Sequence, residues 1–477
     1  MTSLKFGTSG LRGLVVDLVG WPSTAYALAF LRHVSGESNG AREVLLGHDL
    51  RASSPDILRA CVAAANEAGF TALSCGAVPT PALAYAALGR GSPAIMITGS
   101  HIPDDRNGLK FYTAAGEITK ADEAAIAAGV AGLLEHAAPQ AGLGADSLPL
   151  AALPAFHDRI LDFFGPDALK GLTVGVYQHS SVARDFLVDL LQALGADARP
   201  LGRADRFVPV DTEAHRPEDI ELIAGWAAGS RYDAIVSTDG DADRPLVADE
   251  AGTVLRGDVI GLLTARHLGL TTIVTPVTSC SAIETSGVAT DVIRTRVGSP
   301  FVIAGMEEAL RSGSGAAVVG FEANGGVLLG SDLERDGRRI SALPTRDSIL
   351  PIVSVLAEIK RSGRPLSDLV DDLGTGHTAA HRLQHVGADR SGPFLARLAE
   401  DADYRSTFFA PVGAVARVNG IDGVRSILQD GSVLHFRASG NAPELRCYVE
   451  AASPETARHL LDWGLARAGE AVARSDG

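Results

Sequence analysis

Three times along the chain a short apolar run passes straight into a small, polar, glycine-containing loop. Ala94-Ile95-Met96-Ile97 leads into Thr98-Gly99-Ser100-His101, and Asp233-Ala234-Ile235-Val236 into Thr238-Asp239-Gly240-Asp241. Ala316-Ala317-Val318-Val319 leads into Phe321-Glu322-Ala323-Asn324-Gly325-Gly326. Runs this short and this apolar, like Val44-Leu45-Leu46 before them, read as buried strands. Alanine- and leucine-rich stretches with helical spacing lie between them, at Pro55 to Ala68, Ala121 to Leu134 and Arg184 to Leu194. The alternation predicts an α/β fold with largely parallel sheets. In open α/β sheets, ligand-binding groups collect at the C-terminal ends of strands, so three α/β units facing one cleft are expected. The loops do not recur at a fixed period; the repetition is architectural.

At 477 residues the chain exceeds one ordinary core. Breaks are expected in the Ala-, Gly- and Pro-rich stretch Ala137 to Leu150, near Gly252 to Gly257, and at about Leu373. They divide the chain into 1–145, 146–254, 255–372 and 373–477. The last part differs in character. Ser432-Val433-Leu434-His435-Phe436 and Leu445-Arg446-Cys447-Tyr448-Val449 alternate as strands of a half-exposed sheet do, around a long turn at Ser439 to Pro443. With a covering helix from Pro454 to Ala473, they predict a small α+β domain.

Bulk composition excludes several classes. Hydrophobic residues make up 46% and charged residues 21%, as in globular proteins. No run reaches the roughly 18 apolar residues of a membrane span, and no apolar segment precedes the first glycines, so a cytoplasmic location is expected. The four cysteines are scattered without a C-x-x-C pair, which argues for free thiols. A formal charge of -15 disfavours nucleic-acid and membrane partners. Any anionic substrate must therefore meet locally concentrated positive charge.

Four loops could supply chemistry. Thr98 to Pro103, followed by Asn107-Gly108-Leu109-Lys110, sets the Ser100 hydroxyl beside the imidazole of His101 and the ammonium of Lys110. A serine hydroxyl is a poor nucleophile without such neighbours. Asp239, Asp241 and Asp243, at alternate positions before Arg244, repel one another unless a divalent cation joins them. Their hard oxygens favour Mg²⁺ or Ca²⁺. An EF-hand frame fits Asp239, Asp241, Asp243 and Glu250, but Arg244 stands where that loop needs glycine and a strand precedes it, which favours Mg²⁺. Glu322 and Asn324, on a glycine-rich loop, can take hydrogen bonds from sugar hydroxyls. Arg437, Ser439, Gly440, Asn441 and Arg446 offer two guanidinium forks, a hydroxyl, an amide and backbone N–H groups to a phosphate that does not react. Together these are the parts that phosphoryl transfer to a sugar requires.

In this order, with Phe6-Gly7-Thr8-Ser9-Gly10-Leu11-Arg12-Gly13 ahead of them, the loops resemble the α-D-phosphohexomutase superfamily of phosphomannomutases and phosphoglucomutases. The resemblance runs from end to end. It implies a heart-shaped enzyme in which three related α/β domains surround a central cleft and the fourth has a TATA-binding-protein-like fold. It further implies a phosphorylated Ser100, Mg²⁺ held by Asp239, Asp241, Asp243 and the Ser100 phosphate, and a hexose 1,6-bisphosphate as intermediate and activator. Arg12, His101 and Lys110 would stabilise charge or move protons. Glu322, Asn324 and Arg244 would contact the sugar, and Arg437, Ser439, Gly440, Asn441 and Arg446 the distal phosphate. The implied reaction interconverts mannose 6-phosphate and mannose 1-phosphate, with phosphoglucomutase or dual activity as the alternative, in a monomer or homodimer. A phosphoserine-using phosphatase and a non-catalytic sugar-phosphate sensor are the rivals from other classes. Departures from the family pattern fall at sugar- and phosphate-facing positions. Ile102 stands for a common asparagine, Asn324 for serine, and Asn441-Ala442 for Thr-Glu. Ser279 and Ser299 replace a lysine and a histidine.

Overall fold

The computed structural model describes residues 2–7, 10–36, 42–135, 146–313, 317–439 and 443–473. The chain forms two compact units, Met1–Thr272 with Gly298–Leu369, and Ile273–Val297 with Val370–Gly477.

The first unit contains the three strands that lead into the site. Ala94–Ile97, Ala234–Thr238 and Val318–Phe321 are buried along their whole lengths. Each is an inner strand covered on both faces, which is why the runs are apolar without alternation. Ala94–Ile97 lies between Glu43–His48, its parallel neighbour, and Arg106–Thr113, its antiparallel one. Ala234–Thr238 pairs in parallel with Thr173–His179 and antiparallel with Pro245–Ala248. Val318–Phe321, Val327–Leu329 and Leu343–Asp347 are antiparallel throughout. Two of the sheets are therefore mixed and the third pairs these strands antiparallel, where the sequence pattern predicts largely parallel sheets. The antiparallel partner follows each loop within a few residues, too short a span for a helical crossover, so the chain folds straight back as a hairpin. That return places Lys110 on the strand beside the Ser100 loop, while Arg346 lies one strand further on, on Leu343–Asp347, which pairs with the return Val327–Leu329.

Helices cover these sheets at close to the predicted positions: Ser54–Glu67, Lys120–Leu134 and Arg184–Ala193. Thr119 caps Lys120–Leu134 in a capping box with Asp122. One hydrophobic core of this unit joins Leu28, Phe30, Leu31, Ile57, Ile95, Ile97 and Phe111.

The second unit carries a five-stranded antiparallel sheet, His377–Gln384, Glu444–Ala451, Val433–Ala438, Val424–Leu428 and Val415–Asn419 in that order. Helix Pro454–Ala473 packs on it through Leu460, Leu461 and Ala468, beside Phe394, Phe408 and Phe436. Glu450 ties the segment 273–297 to this sheet by accepting from Ser281 N and Oγ, both at 2.9 Å. Among the described residues all four cysteines are free, and no helix is long and apolar enough to cross a membrane.

Candidate active site

Ser100 stands at the end of Ala94–Ile97 in the left-handed backbone region, at φ 53°. Its N–H donates to Thr98 Oγ1 at 2.7 Å. That turn throws the side chain toward the next loop, and Ser100 Oγ donates to Asp239 Oδ2 at 2.5 Å. The His101 Nδ1 atom lies 3.1 Å from the same oxygen. The close approach depends on Gly240, where a Cβ would come within 2.8 Å of the Ser100 carbonyl. Serine and metal-type loop, 139 residues apart in sequence, thus meet through one hydrogen bond.

The three aspartates are buried and converge, each offering an oxygen within 4.8 Å of the others. Cations and hydroxyls occupy one side of the cluster. Asp241 Oδ2 accepts from Thr80 Oγ1 at 2.5 Å and from Lys110 Nζ at 2.6 Å. Asp243 Oδ2 accepts from Lys110 Nζ at 2.5 Å and Arg346 Nε at 3.0 Å. The other oxygens, Asp241 Oδ1 and Asp243 Oδ1, are buried without a hydrogen-bond partner. Burial first, and then Asp241 and Asp243, push the Asp239 carboxyl well above the usual range. For Asp243, burial acts upward too, but Arg346, Lys110 and Arg244 overcome it and hold the group below the usual carboxylate range. Three carboxylates, two of them with an orphaned oxygen, fit a divalent cation with oxygen ligands.

Arg244 closes the cluster. Its N–H donates to Asp239 Oδ1 at 3.3 Å, and its Nη1 donates to His101 Nδ1 at 3.2 Å. Burial, with Arg244 and then Arg12 nearby, brings the His101 pKa down to about 2, so the imidazole is neutral. Arg12 lies in the same electrostatic neighbourhood. Burial, Arg244 and Arg346 lower its guanidinium to about 10.

Glu322 and Asn324 are buried on the third loop. Asn324 Nδ2 donates to Glu322 Oε2 at 3.4 Å, and Arg346 Nη1 donates to the same oxygen at 3.2 Å. The first unit therefore brings together Ser100, His101, Lys110, Asp239, Asp241, Asp243 and Arg244, and joins Glu322 to them through Arg346.

In the second unit, Arg437 and Arg446 stand directly opposite on neighbouring strands, and Arg382 stands opposite Arg446 on the next. Like charges in register are unfavourable unless anions lie near them. Asp422 meets Arg437 Nε at 2.8 Å, and Glu444 meets Arg382 at 3.1 Å and Arg446 at 3.5 Å. Ser439 N–H donates to the Glu444 carbonyl. Gly440 and Asn441 lie outside the described residues, as do Thr8 and Ser9 ahead of Arg12.

Four family models for phosphoglucomutase/phosphomannomutase domains match the chain in order. Domain I covers residues 3–136, domain II 155–252, domain III 256–375 and the C-terminal domain 395–462. The chain belongs to the phosphoglucomutase/phosphomannomutase family. It is 48% identical over 468 residues to a phosphomannomutase of Sinorhizobium fredii, covering 97% of this chain and 98% of the relative. To a phosphomannomutase of Salmonella muenchen it is 40% identical over 462 residues, covering 97% and 95%. Among solved structures, a phosphoglucomutase/phosphomannomutase family protein of Burkholderia thailandensis superposes with a TM-score of 0.76 at 21% identity, over 98% of this chain and 96% of that one. That last likeness shows the fold.

Several participants escape a reading of the family loops. Asp49 and Arg51 hold the Ser100 loop from behind, Thr80 reaches Asp241 from 161 residues away, and Arg346 reaches both Asp243 and Glu322. None belongs to a chemistry-bearing loop. The available signal was charge alone, since Asp49, Arg51 and Arg346 are ionisable residues within or next to apolar runs.

Proposed function

We propose that the protein interconverts mannose 6-phosphate and mannose 1-phosphate, with Ser100 carrying the transferred phosphoryl group and a hexose 1,6-bisphosphate between the two half-reactions. The observation that carries this reading is the Ser100 hydroxyl seated 2.5 Å from a buried aspartate whose two neighbours each keep an oxygen unpartnered. A phosphoryl dianion on Ser100 would meet that carboxylate head-on unless a divalent cation lay between them. Asp239, Asp241, Asp243 and the Ser100 oxygen would hold Mg²⁺, which supplies charge neutralisation for the phosphoryl group in flight. The choice of mannose rests on the extent of the identity to phosphomannomutases; glucose, differing at one hydroxyl, is the second substrate to test.

In the forward half-reaction the free hydroxyl oxygen of the hexose phosphate attacks the phosphorus of phosphoserine. The P–O bond to Ser100 breaks, and the hydroxyl proton leaves to a base. A phosphoryl dianion on Ser100 would raise the depressed His101 pKa, placing the imidazole to take up that proton and pass it to the departing Ser100 Oγ. Lys110, Arg12 and Arg244 offset charge on the transferring oxygens. The bisphosphate then returns its other phosphoryl group to Ser100 Oγ. Glu322 and Asn324 receive sugar hydroxyls, while Arg437, Ser439, Gly440, Asn441 and Arg446 hold the distal phosphate. The four domains are assigned to 1–145, 146–254, 255–372 and 373–477, and the enzyme to the cytoplasm.

Phosphorus NMR with Mg²⁺, mannose 6-phosphate and a trace of glucose 1,6-bisphosphate tests the reading. Growth of a mannose 1-phosphate signal without free phosphate is expected. Accumulating inorganic phosphate would make the protein a phosphatase, and an unchanged spectrum a sensor. Chelation supplies a second test. Removing divalent cations should lower turnover by at least about 100-fold, the scale of losing one electrostatic stabiliser, and Mg²⁺ should restore it. Turnover indifferent to chelator would take the metal out of the reaction.

A further inference from the structure

Arg346 touches two loops that the proposed chemistry uses separately. It is almost wholly buried, and its guanidinium is shared between them. Nε and Nη2 engage Asp243 Oδ2 at 3.0 and 2.9 Å, and Nη1 donates to Glu322 Oε2 at 3.2 Å. The backbone is fitted to this arrangement. Gly326, on the Glu322 loop, leaves room for the arginine stem, since a Cβ there would come within 2.7 Å of Arg346 Cγ and Cδ. Two residues on, Ser348 Oγ donates to the Ala242 carbonyl at 2.6 Å, and Ala242 is itself held at φ 59° between Asp241 and Asp243. The strand Leu343–Asp347 and the serine after it thus grip the aspartate loop at both its backbone and a side chain, and the strand presents its arginine to the Glu322 loop.

The choice of oxygens points the same way. On Asp243 both the arginine and Lys110 take Oδ2, leaving Oδ1 unpartnered. On Glu322 both Arg346 and Asn324 take Oε2. In each carboxylate one oxygen is pinned by cation or amide, which fixes the orientation of the whole group.

We propose that Arg346 is a positioning residue that fixes the aspartate loop and the Glu322 loop at one separation, so that the sugar is held in register with the phosphoryl group on Ser100. The proposal rests on the mutase reading above and adds to it how the two recognition elements are kept aligned. Only a planar fork can do this. A lysine at the same place would keep the charge but, as a single point donor, could not hold both carboxylates in fixed orientation.

The test compares Arg346→Lys, Arg346→Gln, Glu322→Gln and the Arg346→Gln/Glu322→Gln double variant with wild type. Melting temperatures come first, then kcat and KM for mannose 1-phosphate, then equilibrium binding of mannose 1-phosphate by calorimetry with Mg²⁺ present. Both Arg346 variants should show KM raised by about 10-fold and kcat lowered by a similar factor, the scale on which small misplacements act. Lysine should give no more than a small rescue. Because Arg346 and Glu322 share one interaction, part of each loss is common to both, and the double variant should be no worse than about 3-fold below the poorer single one. Removing the carboxylate also relieves the unpaired charge that Arg346→Gln leaves, so the double variant keeps the comparison open where the single one fails to fold. Normal kcat and KM in folded Arg346→Lys, or losses that multiply in the double variant, would overturn the proposal. Should wild type itself show no turnover, the mutase reading fails. Calorimetry then decides the positioning role alone, with equal affinity in wild type and Arg346→Lys counting against it.

Discussion

Replacing Ser100 with alanine should abolish interconversion of mannose 6-phosphate and mannose 1-phosphate, lowering turnover by at least about 10³-fold, and leave the protein folded. The loss is large because both half-reactions of the proposed mechanism pass through the one oxygen. No other described hydroxyl donates to the Asp239 carboxylate; Thr238 Oγ1 reaches only the Asp239 carbonyl, and Thr80 is bound to Asp241. The structural cost is small. Alanine loses the hydrogen bond to Asp239, about 1 kcal/mol. The left-handed backbone at this position burdens serine and alanine alike, and the Thr98, Asp49 and Arg51 contacts around the loop use no Ser100 side-chain atom. Incubation with radiolabelled glucose 1,6-bisphosphate separates the outcomes. Wild type should retain label on the protein, and the variant none. A Ser100→Ala protein that turns over at near the wild-type rate would show that another group accepts the phosphoryl.

What the sequence discloses and what it hides follow from how each feature is encoded. The strand–loop junctions are legible because burial on both faces leaves an uninterrupted apolar run, and the loop chemistry follows within four residues. The C-terminal sheet is legible for the opposite reason. Glu444–Ala451 alternates intermediate and buried residues along its whole length, and helix Pro454–Ala473 has the predicted bounds. Strand direction is less visible, since an apolar run looks the same in a parallel and an antiparallel neighbour. The mixed sheets therefore emerge only from the hairpin returns after each loop. Least visible are groups whose role comes from packing. Arg346 sits 103 residues from Asp243 and 24 from Glu322, in a segment that reads locally as an ordinary strand end. Asp49 and Arg51 likewise follow a strand, with no glycine-rich loop to mark them. An ionisable residue at the end of a buried run is the trace such groups leave, because burial of its charge demands a partner elsewhere.

Arg51→Met should both destabilise the protein, by about 3–5 kcal/mol, and lower turnover by about 100-fold in the fraction that remains folded. Arg51 is fully buried, and the five N–H donors of its guanidinium make five bonds. Nε goes to Asp49 Oδ2 at 3.1 Å, Nη1 to the carbonyls of Pro103 and Arg106 at 2.9 and 3.1 Å, and Nη2 to those of Ser100 and Ile102 at 2.9 and 2.6 Å. Four carbonyls of the Ser100 loop therefore converge on one side chain, which also stacks 3.8 Å from the Phe207 ring centroid. Gly99 permits this, since a Cβ there would strike the guanidinium at 2.7 Å. Methionine fills much of the volume but satisfies none of the carbonyls, so the loop must either leave them unpaired or move, and moving it displaces Ser100 from Asp239. Arg51→Lys should recover stability more than activity, because three donors on a point charge can pair with Asp49 yet cannot hold four carbonyls. The pH dependence has a definite sign. Burial raises the Asp49 carboxyl above its ordinary range even with Arg51 against it, and more so without it. A folded-state pKa raised above the unfolded one contributes stability at low pH that is lost as pH rises toward the folded value. The Arg51→Met deficit in denaturant melts should accordingly be smaller near pH 5 than near pH 8. A variant that melts like wild type, or one that is destabilised yet keeps full turnover per folded molecule, would show that the Ser100 loop holds its shape without this arginine.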